Sequence, residues 1–362
     1  MPTDVISIDL GSTYTKGARF AVAGDALRLQ QAAATPTTTA DLGCGFDCVH
    51  DELQAGAEPA PVFLSSSAKG GLAIAAIGIV PELTAKMAHE AAVSAGGKIS
   101  ALFTYKLTDD DVTRLRELSP DVVLFTGGLD GGNERYNRHN AEKLAAAALA
   151  CPIIYAGNRA CRAAVQQALA GADLHITDNV LADIDRPHTA PARAAIRRIF
   201  LDRIVRGKGL DGIMATAGTA PKPTPLAVLE LVRALHEQPA GAPTFCVVDL
   251  GGATTDVYSA GAAAPEPGVV LKGLAEPEVK RTVEGDLGMR VSAAAVLEAA
   301  ADEVAGALAA RGLDPDAFAA YVERVSAAPS SLPTVADEVA FDEVLAGACV
   351  RRAAYRHAGW RE

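Results

Sequence analysis

The sequence has few aromatic residues and fewer basic than acidic side chains. Aromatic residues make up 5% of the 362 residues, and there is a single Trp. The 33 Lys and Arg are outnumbered by 44 Asp and Glu, which gives a formal net charge of -11. A surface of this sign repels nucleic-acid phosphates, so nucleic acid is not an expected partner. The hydrophobic fraction of 49%, much of it Ala, favours closely approaching helices around a sheet.

Long apolar runs and a basic leader are also missing. The longest apolar stretch, residues 70–80, is too short to span a bilayer. The first residues contain no basic segment before an apolar run, which argues against a signal peptide. Cys44 and Cys48 have no second Cys pair or His cluster beside them, so no zinc site is predicted. Together these features predict a cytoplasmic protein with no membrane segment.

The apolar pattern predicts two three-stranded meanders, separated by a block in which strands and helices alternate. The predicted strands of the meanders are residues 5–9, 16–22 and 27–34, and then residues 244–249, 256–259 and 269–272. Between them, residues 72–177 alternate strand with helix, which indicates a parallel, doubly wound sheet. Helices are predicted at residues 192–205 and 226–236 and in the Ala-rich part after Val291.

Each meander begins with an apolar strand that ends in Asp-Leu-Gly and continues into hydroxyl residues. These hairpin motifs are residues 9–15 and residues 249–256. An Asp at the strand end can hold a hydrated divalent cation, and the Gly lets a phosphate approach the backbone. Hydroxyls and turn amides then donate hydrogen bonds to phosphate oxygens. Two facing hairpins of this kind would clamp a β- and a γ-phosphate, with Mg²⁺ between two carboxylates.

The two hairpins supply the candidate site residues. Asp9 and Asp249 are the candidate metal carboxylates, and Asp256 is placed to orient a water molecule or a metal ligand. The candidate nucleotide-binding residues are Gly11, Ser12, Thr13, Lys16, Gly251, Gly252, Thr254 and Thr255, and the candidate catalytic residues are Asp9, Asp249, Thr254 and Asp256. One such hairpin alone could be an ordinary β-turn. Two matched hairpins at a domain-sized interval favour the phosphate clamp.

The two motifs resemble the first and second phosphate motifs of the actin, heat-shock chaperone and sugar kinase superfamily. The resemblance implies an α/β fold with actin-like ATPase (ribonuclease H-like) lobes and an inserted doubly wound parallel α/β domain. We expect the first lobe at residues 1–66 and 181–240, the inserted Rossmann-like domain at 67–180, and the second lobe at 241–362. The superfamily's adenosine motif, an apolar strand before a Gly pair, is not found after the second hairpin. The second lobe is therefore expected to be incomplete, which puts ATP affinity in doubt.

Three further stretches resemble a narrower family. They are Thr-Gly-Gly-Leu-Asp-Gly-Gly-Asn at residues 126–133, Lys-Arg-Thr-Val-Glu-Gly-Asp-Leu-Gly-Met-Arg at 280–290, and Arg-His-Ala-Gly at 356–359. With both phosphate motifs, they resemble the glutamate mutase accessory family, often labelled MutL or GlmL and unrelated to the mismatch-repair protein. The resemblance implies a chaperone-like, weak ATPase that binds ATP and Mg²⁺. It would reactivate an adenosylcobalamin-dependent mutase, such as glutamate (methylaspartate) mutase, by exchanging damaged cobalamin, so the expected partners are mutase subunits.

Two of these stretches allow more than one interpretation. Residues 126–133 could admit a ligand phosphate or base, or could form a tight strand-to-helix turn with Asn133 capping the helix. In the run 280–290, Glu284 is a candidate cofactor-binding residue, because Glu284 and Asp286 could bind the metal through its water ligands. Lys280 or Arg281 could reach phosphate or adenine. The alternative for this run is a surface ion-pair cluster.

Other functions of the same fold also remain open at this point. The alternatives are a small-molecule kinase, an ATP-dependent hydrolase subunit, or a non-catalytic remnant that kept the hairpins. No segment specifies a sugar or acid pocket, which a kinase would need. The inserted domain resembles cobalamin-binding domains but lacks the Asp-x-His-x-x-Gly signature. Our hypothesis is that this domain mimics the mutase's cobalamin-binding subunit and docks in its place or beside it.

Overall fold

A computed structural model describes residues 3–38, 41–67, 72–184, 186–205, 210–238, 244–261 and 277–359. These residues form two compact units. One unit contains residues 72–204 and residue 277, and the other contains the described parts of three stretches, residues 3–67, 205–261 and 278–359. None of the described helices is both long and apolar enough to cross a membrane.

The chain opens with three antiparallel strands, a helix and a parallel strand. These elements are β1 (Thr3–Leu10), β2 (Tyr14–Ala23), β3 (Ala26–Pro36), α1 (Leu42–Gln54) and β4 (Val62–Ser66). β1 pairs with β2 antiparallel and with β4 parallel. Its alternate residues Ile6, Ile8 and Leu10 are fully buried, as expected for a strand with one face against the core. Asp41 caps α1 by accepting the Gly43 amide proton.

The unit of residues 72–204 is built on a five-stranded parallel sheet. Its elements are β5 (Ala73–Gly78), α2 (Lys86–Ser94), β6 (Lys98–Thr104), α3 (Asp109–Leu118), β7 (Val122–Phe125), α4 (Arg135–Ala147), β8 (Ile153–Tyr155), α5 (Arg162–Ala168), β9 (Leu174–Ile176), the short hairpin β10 (Leu181–Asp183) and β11 (Arg186–Pro187), and α6 (Ala190–Val205). The strand order is β6-β5-β7-β8-β9, with every pair parallel. This confirms the predicted doubly wound sheet, whose strands are continuous apolar runs because helices cover both faces.

Helix α6 belongs to this unit and not to the first lobe. Its apolar side packs into the same core as strands β5 and β7, through Ala192, Ala195, Ile196, Ile199 and Phe200. The grouping of contacts accordingly ends the unit at Ile204. The sequence pattern had placed the end of the inserted domain at residue 180, because a basic helix gives no signal of which sheet its apolar side will cover.

The chain then returns to the first sheet. Helix α7 (Leu210–Ala217) is followed by the two-residue strand β12 (Lys222–Pro223) and helix α8 (Thr224–His236). β12 pairs parallel with β4, so the sheet order is β12-β4-β1-β2-β3. A three-stranded meander continued by two parallel strands is the ribonuclease H-like arrangement, which confirms the predicted actin-like lobe. Neither β4 nor β12 was predicted from the sequence.

A second meander and a helical layer complete the other unit. The strands are β13 (Phe245–Leu250), β14 (Thr255–Ala260) and β15 (Val279–Glu284), and the helices are α9 (Ala293–Ala299), α10 (Ala301–Arg311), α11 (Pro315–Ala327) and α12 (Ala336–Ala358). The strands pair in chain order and antiparallel. The helices share a buried core that reaches Val257 of β14. The third strand was predicted at residues 269–272, which lie outside the described residues; the strand paired with β14 is β15.

Candidate functional site

The two hairpin turns are closed by the same backbone hydrogen bond. In the first, the Gly11 amide donates to the Tyr14 carbonyl at 3.1 Å; in the second, the Gly251 amide donates to the Thr254 carbonyl at 2.9 Å. A Cβ on Gly11 would lie 2.4 Å from the Tyr14 oxygen, and a Cβ on Gly251 would lie 3.1 Å from the Thr254 oxygen. Glycine is therefore needed at the first position of the first turn, and it is favoured at the first position of the second turn.

Each turn leaves two successive amides without an acceptor. The amides of Ser12 and Thr13 in the first turn, and of Gly252 and Ala253 in the second, donate to no atom of the described residues. Consecutive free amides in a tight turn form a concave anion-binding surface. These four amides are thus suited to phosphate oxygens, as the sequence pattern predicted.

The turns also face each other. A Cβ on Gly252 would lie 3.1 Å from Cγ2 of Thr13, so the tip of one hairpin lies against the tip of the other. In the strand register, Asp9 is opposite Lys16 and Asp249 is opposite Asp256. Lys16 and Asp256 therefore occupy equivalent positions in the two hairpins.

Asp249 is a partly buried carboxylate with no hydrogen bond or ion pair among the residues that the structure describes. Burial raises its pKa above the ordinary value for Asp, and the charges of Asp256 and Asp9 raise this pKa further. Lys16 and Arg281 act in the opposite direction. The structure thus brings Asp9, Lys16 and Asp256 within electrostatic range of Asp249, at a place where negative charge is not fully compensated.

Asp9 is held in a different way. Its Oδ1 accepts a hydrogen bond from the Ser65 hydroxyl at 2.8 Å and another from the Thr224 hydroxyl at 2.5 Å. Its Oδ2 accepts none within the described part of the chain. Sequence reasoning missed both hydroxyl residues, although the position of Ser65 at the carboxyl end of a strand parallel to β1 would have been a signal, had β4 been predicted.

Asp256 is buried and already ion-paired. It is 5% exposed, and its Oδ1 accepts from Nε of Arg281 at 2.8 Å and from Nη2 at 2.5 Å. Its Oδ2 accepts from the Thr254 hydroxyl at 3.2 Å. The Thr255 hydroxyl points elsewhere, because it donates to the Leu287 carbonyl at 2.7 Å and is fully buried. Of these two threonines, Thr254 therefore bonds directly to a candidate site residue, Asp256. Thr255 bonds to the backbone and supports the fold.

Glu284 and Asp286 form an ion-pair cluster with Arg356 of α12. Nη1 of Arg356 lies 2.8 Å from Glu284 Oε2 and 2.8 Å from Asp286 Oδ1, and Nη2 lies 2.9 Å from Asp286 Oδ2. These bonds raise the pKa of the Arg356 guanidinium, with Asp286 contributing most. The ion-pair alternative for the run 280–290 is thus the one that the structure contains.

The donor set for a metal ion is small. No group of three or more His, Cys, Asp or Glu side chains with metal-binding geometry occurs within the described residues. Mg²⁺ does not need such a group, because it keeps several water ligands and binds through one or two carboxylates together with substrate phosphates. Asp9, through its free Oδ2, and the unpartnered Asp249 fit that requirement.

Comparison with known proteins gives a family. A family model described as "MutL protein" matches residues 5–362. The protein named "Protein MutL" from Clostridium tetanomorphum is 37% identical over 365 aligned residues, which cover 97% of this chain and 78% of that protein. The chain belongs to the MutL family. This confirms the narrower of the two resemblances drawn from the sequence.

Two solved structures that are similar to this MutL family member match it at a low level. A Ppx/GppA family member from Aquifex aeolicus is 10% identical, with a TM-score of 0.28 over 99% of this chain and 92% of that chain. An exopolyphosphatase-like protein is 11% identical, with a TM-score of 0.27 over 98% of this chain and 88% of that chain. These scores are too low to support an argument, so the fold assignment rests on the strand order.

Two of the stretches that carried the family resemblance contact each other. His357 lies near the end of α12, and its two ring nitrogens are each 2.8 Å from a hydroxyl, Nδ1 from Thr282 and Nε2 from Ser259. Lys280 donates to the His357 carbonyl at 2.8 Å. In this MutL family member the end of α12 is therefore attached to β14 and β15. This structural contact accounts for the occurrence of both motifs without a catalytic role for His357.

The third stretch, residues 126–133, forms a tight turn after β7. Gly127 and Gly128 have positive φ angles, and a Cβ on Gly127 would lie 2.6 Å from Ile79 Cγ1. The Asn133 side chain accepts the Arg135 amide at the start of α4. The glycines are needed for close packing of neighbouring loops, so the turn interpretation has direct support in the contacts.

Proposed function

We propose that this MutL family member binds ATP and Mg²⁺ between its two hairpins and acts as a chaperone-like reactivating factor for an adenosylcobalamin-dependent mutase, such as glutamate mutase. The single observation that carries the nucleotide part is Asp249. A partly buried carboxylate without a partner, beside two other carboxylates, is electrostatically unfavourable until a cation arrives.

The residues of the proposed site have different roles. Asp9 and Asp249 would hold Mg²⁺, which would screen the negative charge of the phosphates. The free amides of Ser12 and Gly252, with those that follow them in each turn, would donate to phosphate oxygens. Lys16 is exposed on β2 opposite Asp9, where its ammonium can add a positive charge to the phosphate side.

The state of Asp256 favours slow hydrolysis. A general base must accept a proton in the course of the reaction. Asp256 already accepts two bonds from Arg281 and one from Thr254, so proton transfer from water would compete with a buried ion pair. We therefore expect a weak ATPase, and a nucleotide-binding protein without turnover is the second candidate that the same observation supports.

The client assignment rests on the family resemblance. The motifs at residues 126–133, 280–290 and 356–359 are those that led to the glutamate mutase accessory family, and membership of the MutL family agrees with it. That the doubly wound unit docks on the mutase stays a prediction. A pull-down with purified mutase subunits, with and without ATP, would contradict docking if no binding occurred in either condition.

Calorimetry with the full chain tests the nucleotide part. We expect ATP to bind in the presence of Mg²⁺ and much more weakly in EDTA, and Asp249→Asn to remove the difference. Asp25→Asn is a matched control, because it removes the same charge from the exposed β2–β3 turn at the other end of β2. An equal ATP affinity with and without Mg²⁺ would contradict the proposed clamp. Recovery of activity by mutase carrying damaged cobalamin, on addition of this protein and ATP, tests the client.

A further inference from the structure

Two hydroxyl groups converge on one oxygen of Asp9. Ser65 lies directly beside Asp9 in the parallel pairing of β1 and β4, and Thr224 is the first residue of α8. Both donate to Oδ1, at 2.8 Å and 2.5 Å. A carboxylate that receives two donors on the same oxygen cannot turn about its terminal bond without losing both. The second oxygen, Oδ2, is thereby fixed in direction and left without a donor.

The direction of Oδ2 is toward the glycine turn. A Cβ on Gly11 would lie 3.7 Å from Asp9 Oδ2, so this oxygen lies beside the first residue of the turn whose next two amides are free. The oxygen without a donor therefore lies next to the turn that is proposed to bind phosphate.

We propose that Ser65 and Thr224 are positioning residues, which hold the Asp9 carboxylate so that Oδ2 is presented to the bound Mg²⁺. This inference rests on the proposed nucleotide clamp. Neither residue needs to contact the cation. They restrict the rotation of the Asp9 side chain in the folded chain. The entropy cost of ordering this side chain therefore arises during folding and not when the cation binds.

Thr224 is expected to matter more than Ser65. Its bond to Asp9 is the shorter of the two, and it lies at the start of a helix that is fixed from the other side as well. The Pro225 carbonyl accepts from the Tyr258 hydroxyl at 3.3 Å, and Leu229 of α8 packs in the same cluster as Tyr258. Thr224 is thus attached to a rigid support in the second meander, while its hydroxyl reaches a carboxylate of the first.

The experiment compares variants that keep or remove the hydroxyl. Thr224→Val removes the donor at nearly constant shape, Thr224→Ser keeps it, and Ser65→Ala removes the other donor. Thr219→Val is the control, because that hydroxyl is exposed and, among the described residues, hydrogen-bonds only to the carbonyl of Ala220. Calorimetric ATP affinity is measured across Mg²⁺ concentrations and in EDTA, and ATPase rates are measured across the same Mg²⁺ series.

For Thr224→Val we expect the apparent Mg²⁺ affinity to fall by about 10- to 100-fold, the range typical when a residue supporting a metal ligand is removed. A smaller fall is expected for Ser65→Ala, and near wild-type values for Thr224→Ser and Thr219→Val. ATP affinity in EDTA and the rate at saturating Mg²⁺ should not change, which a general loss of structure would not produce.

Two outcomes would overturn the inference, and they differ. If the wild type binds ATP with Mg²⁺ but Thr224→Val and Ser65→Ala keep its Mg²⁺ affinity, the positioning role is wrong and the clamp stands. If the wild type shows no Mg²⁺-dependent ATP binding, the clamp itself is wrong and the inference falls with it. Should Thr224→Val fail to fold, Ser65→Ala alone decides between these outcomes.

Discussion

The two hairpins have the same closing hydrogen bond in the backbone but differ in how their acidic residues are held. Both turns close with the same amide-to-carbonyl bond, and both place an Asp at the same register position. Asp9 receives two hydroxyl donors, whereas Asp249 receives none from the described residues. The Asp9 carboxylate is therefore already oriented in the folded chain, whereas the Asp249 carboxylate carries an unfavourable charge that a cation would relieve. The repeated motif thus specifies where each Asp lies, and the neighbouring residues determine how each carboxylate is held.

The largest effect on the free energy of unfolding is expected from Arg281, which compensates the charge of Asp256 in the second hairpin. Arg281 and Asp256 form a pair whose side chains are 3% and 7% exposed. Removing one partner leaves a buried charge, so Arg281→Met should lower the free energy of unfolding by about 3–5 kcal/mol. Urea denaturation measures this. If the loss comes from the bare carboxylate, Asp256→Asn should restore part of it in the double variant; an equal loss in the double variant would assign the effect to packing against Tyr258 instead.

Asp249→Asn should separate function from stability. The folded-state pKa of Asp249 is raised, first by burial and then by Asp256 and Asp9, so the folded chain binds this proton more tightly than the unfolded chain. Stability from this group is complete below the unfolded pKa and is lost as pH rises through the folded pKa. At neutral pH the amide removes that loss, so Tm without ligand should rise.

The same variant should lose Mg²⁺-dependent ATP affinity by on the order of 100-fold, as expected for truncation of a partly buried charged partner. Thermal scans at pH 7 and at pH 4 give the stability part, because the gain over wild type should shrink at the lower pH. Asp25→Asn is the control for both measurements. A lower Tm for Asp249→Asn at pH 7 would contradict the view that the second hairpin carries unrelieved charge.

The glycines at the start of the turns give a smaller, graded effect. A Cβ on Gly11 would meet the Tyr14 carbonyl oxygen at 2.4 Å, and one on Gly251 would meet the equivalent oxygen at 3.1 Å. Gly11→Ala should therefore cost about 2–3 kcal/mol of stability and Gly251→Ala about 1 kcal/mol, since the first needs a backbone shift and the second only a slight one. Equal losses in denaturation experiments would mean that the two turns are equally constrained in solution, which would contradict this difference.

Much of the fold and of the site could be predicted because it depends on local sequence. The apolar strands ending in Asp-Leu-Gly gave both hairpins, and regular alternation gave the parallel sheet. The strand β12 has two residues, one of them Pro223, and so carries no periodic signal. β15 contains Lys, Arg and Glu and so lacks an apolar strand pattern; its Arg281 and Glu284 are held in ion pairs in the folded chain.

The supports of the acidic residues could not be predicted, because they come from distant parts of the chain. Ser65 is 56 residues from Asp9 in sequence, and Thr224 is 215 residues away. Each becomes a neighbour only when β4 pairs with β1 and β12 pairs with β4 in the same sheet. Similarly, the pairing of Arg281 with Asp256 depends on the register of β14 against β15, which the sequence does not determine.

The smallest effect is expected at Arg356, and it tests which residues belong to the clamp. Arg356 is 30% exposed and bonds to Glu284 and Asp286, so Arg356→Gln should change the free energy of unfolding by less than about 1 kcal/mol. Because these carboxylates serve an ion pair in our interpretation, Mg²⁺-dependent ATP affinity should stay at the wild-type value in this variant and in Glu284→Gln. A loss of Mg²⁺ affinity in Glu284→Gln, with Tm unchanged, would place Glu284 beside Asp9 and Asp249 in the clamp. The second hairpin would then have one more carboxylate for the cation than its hydrogen bonds indicate.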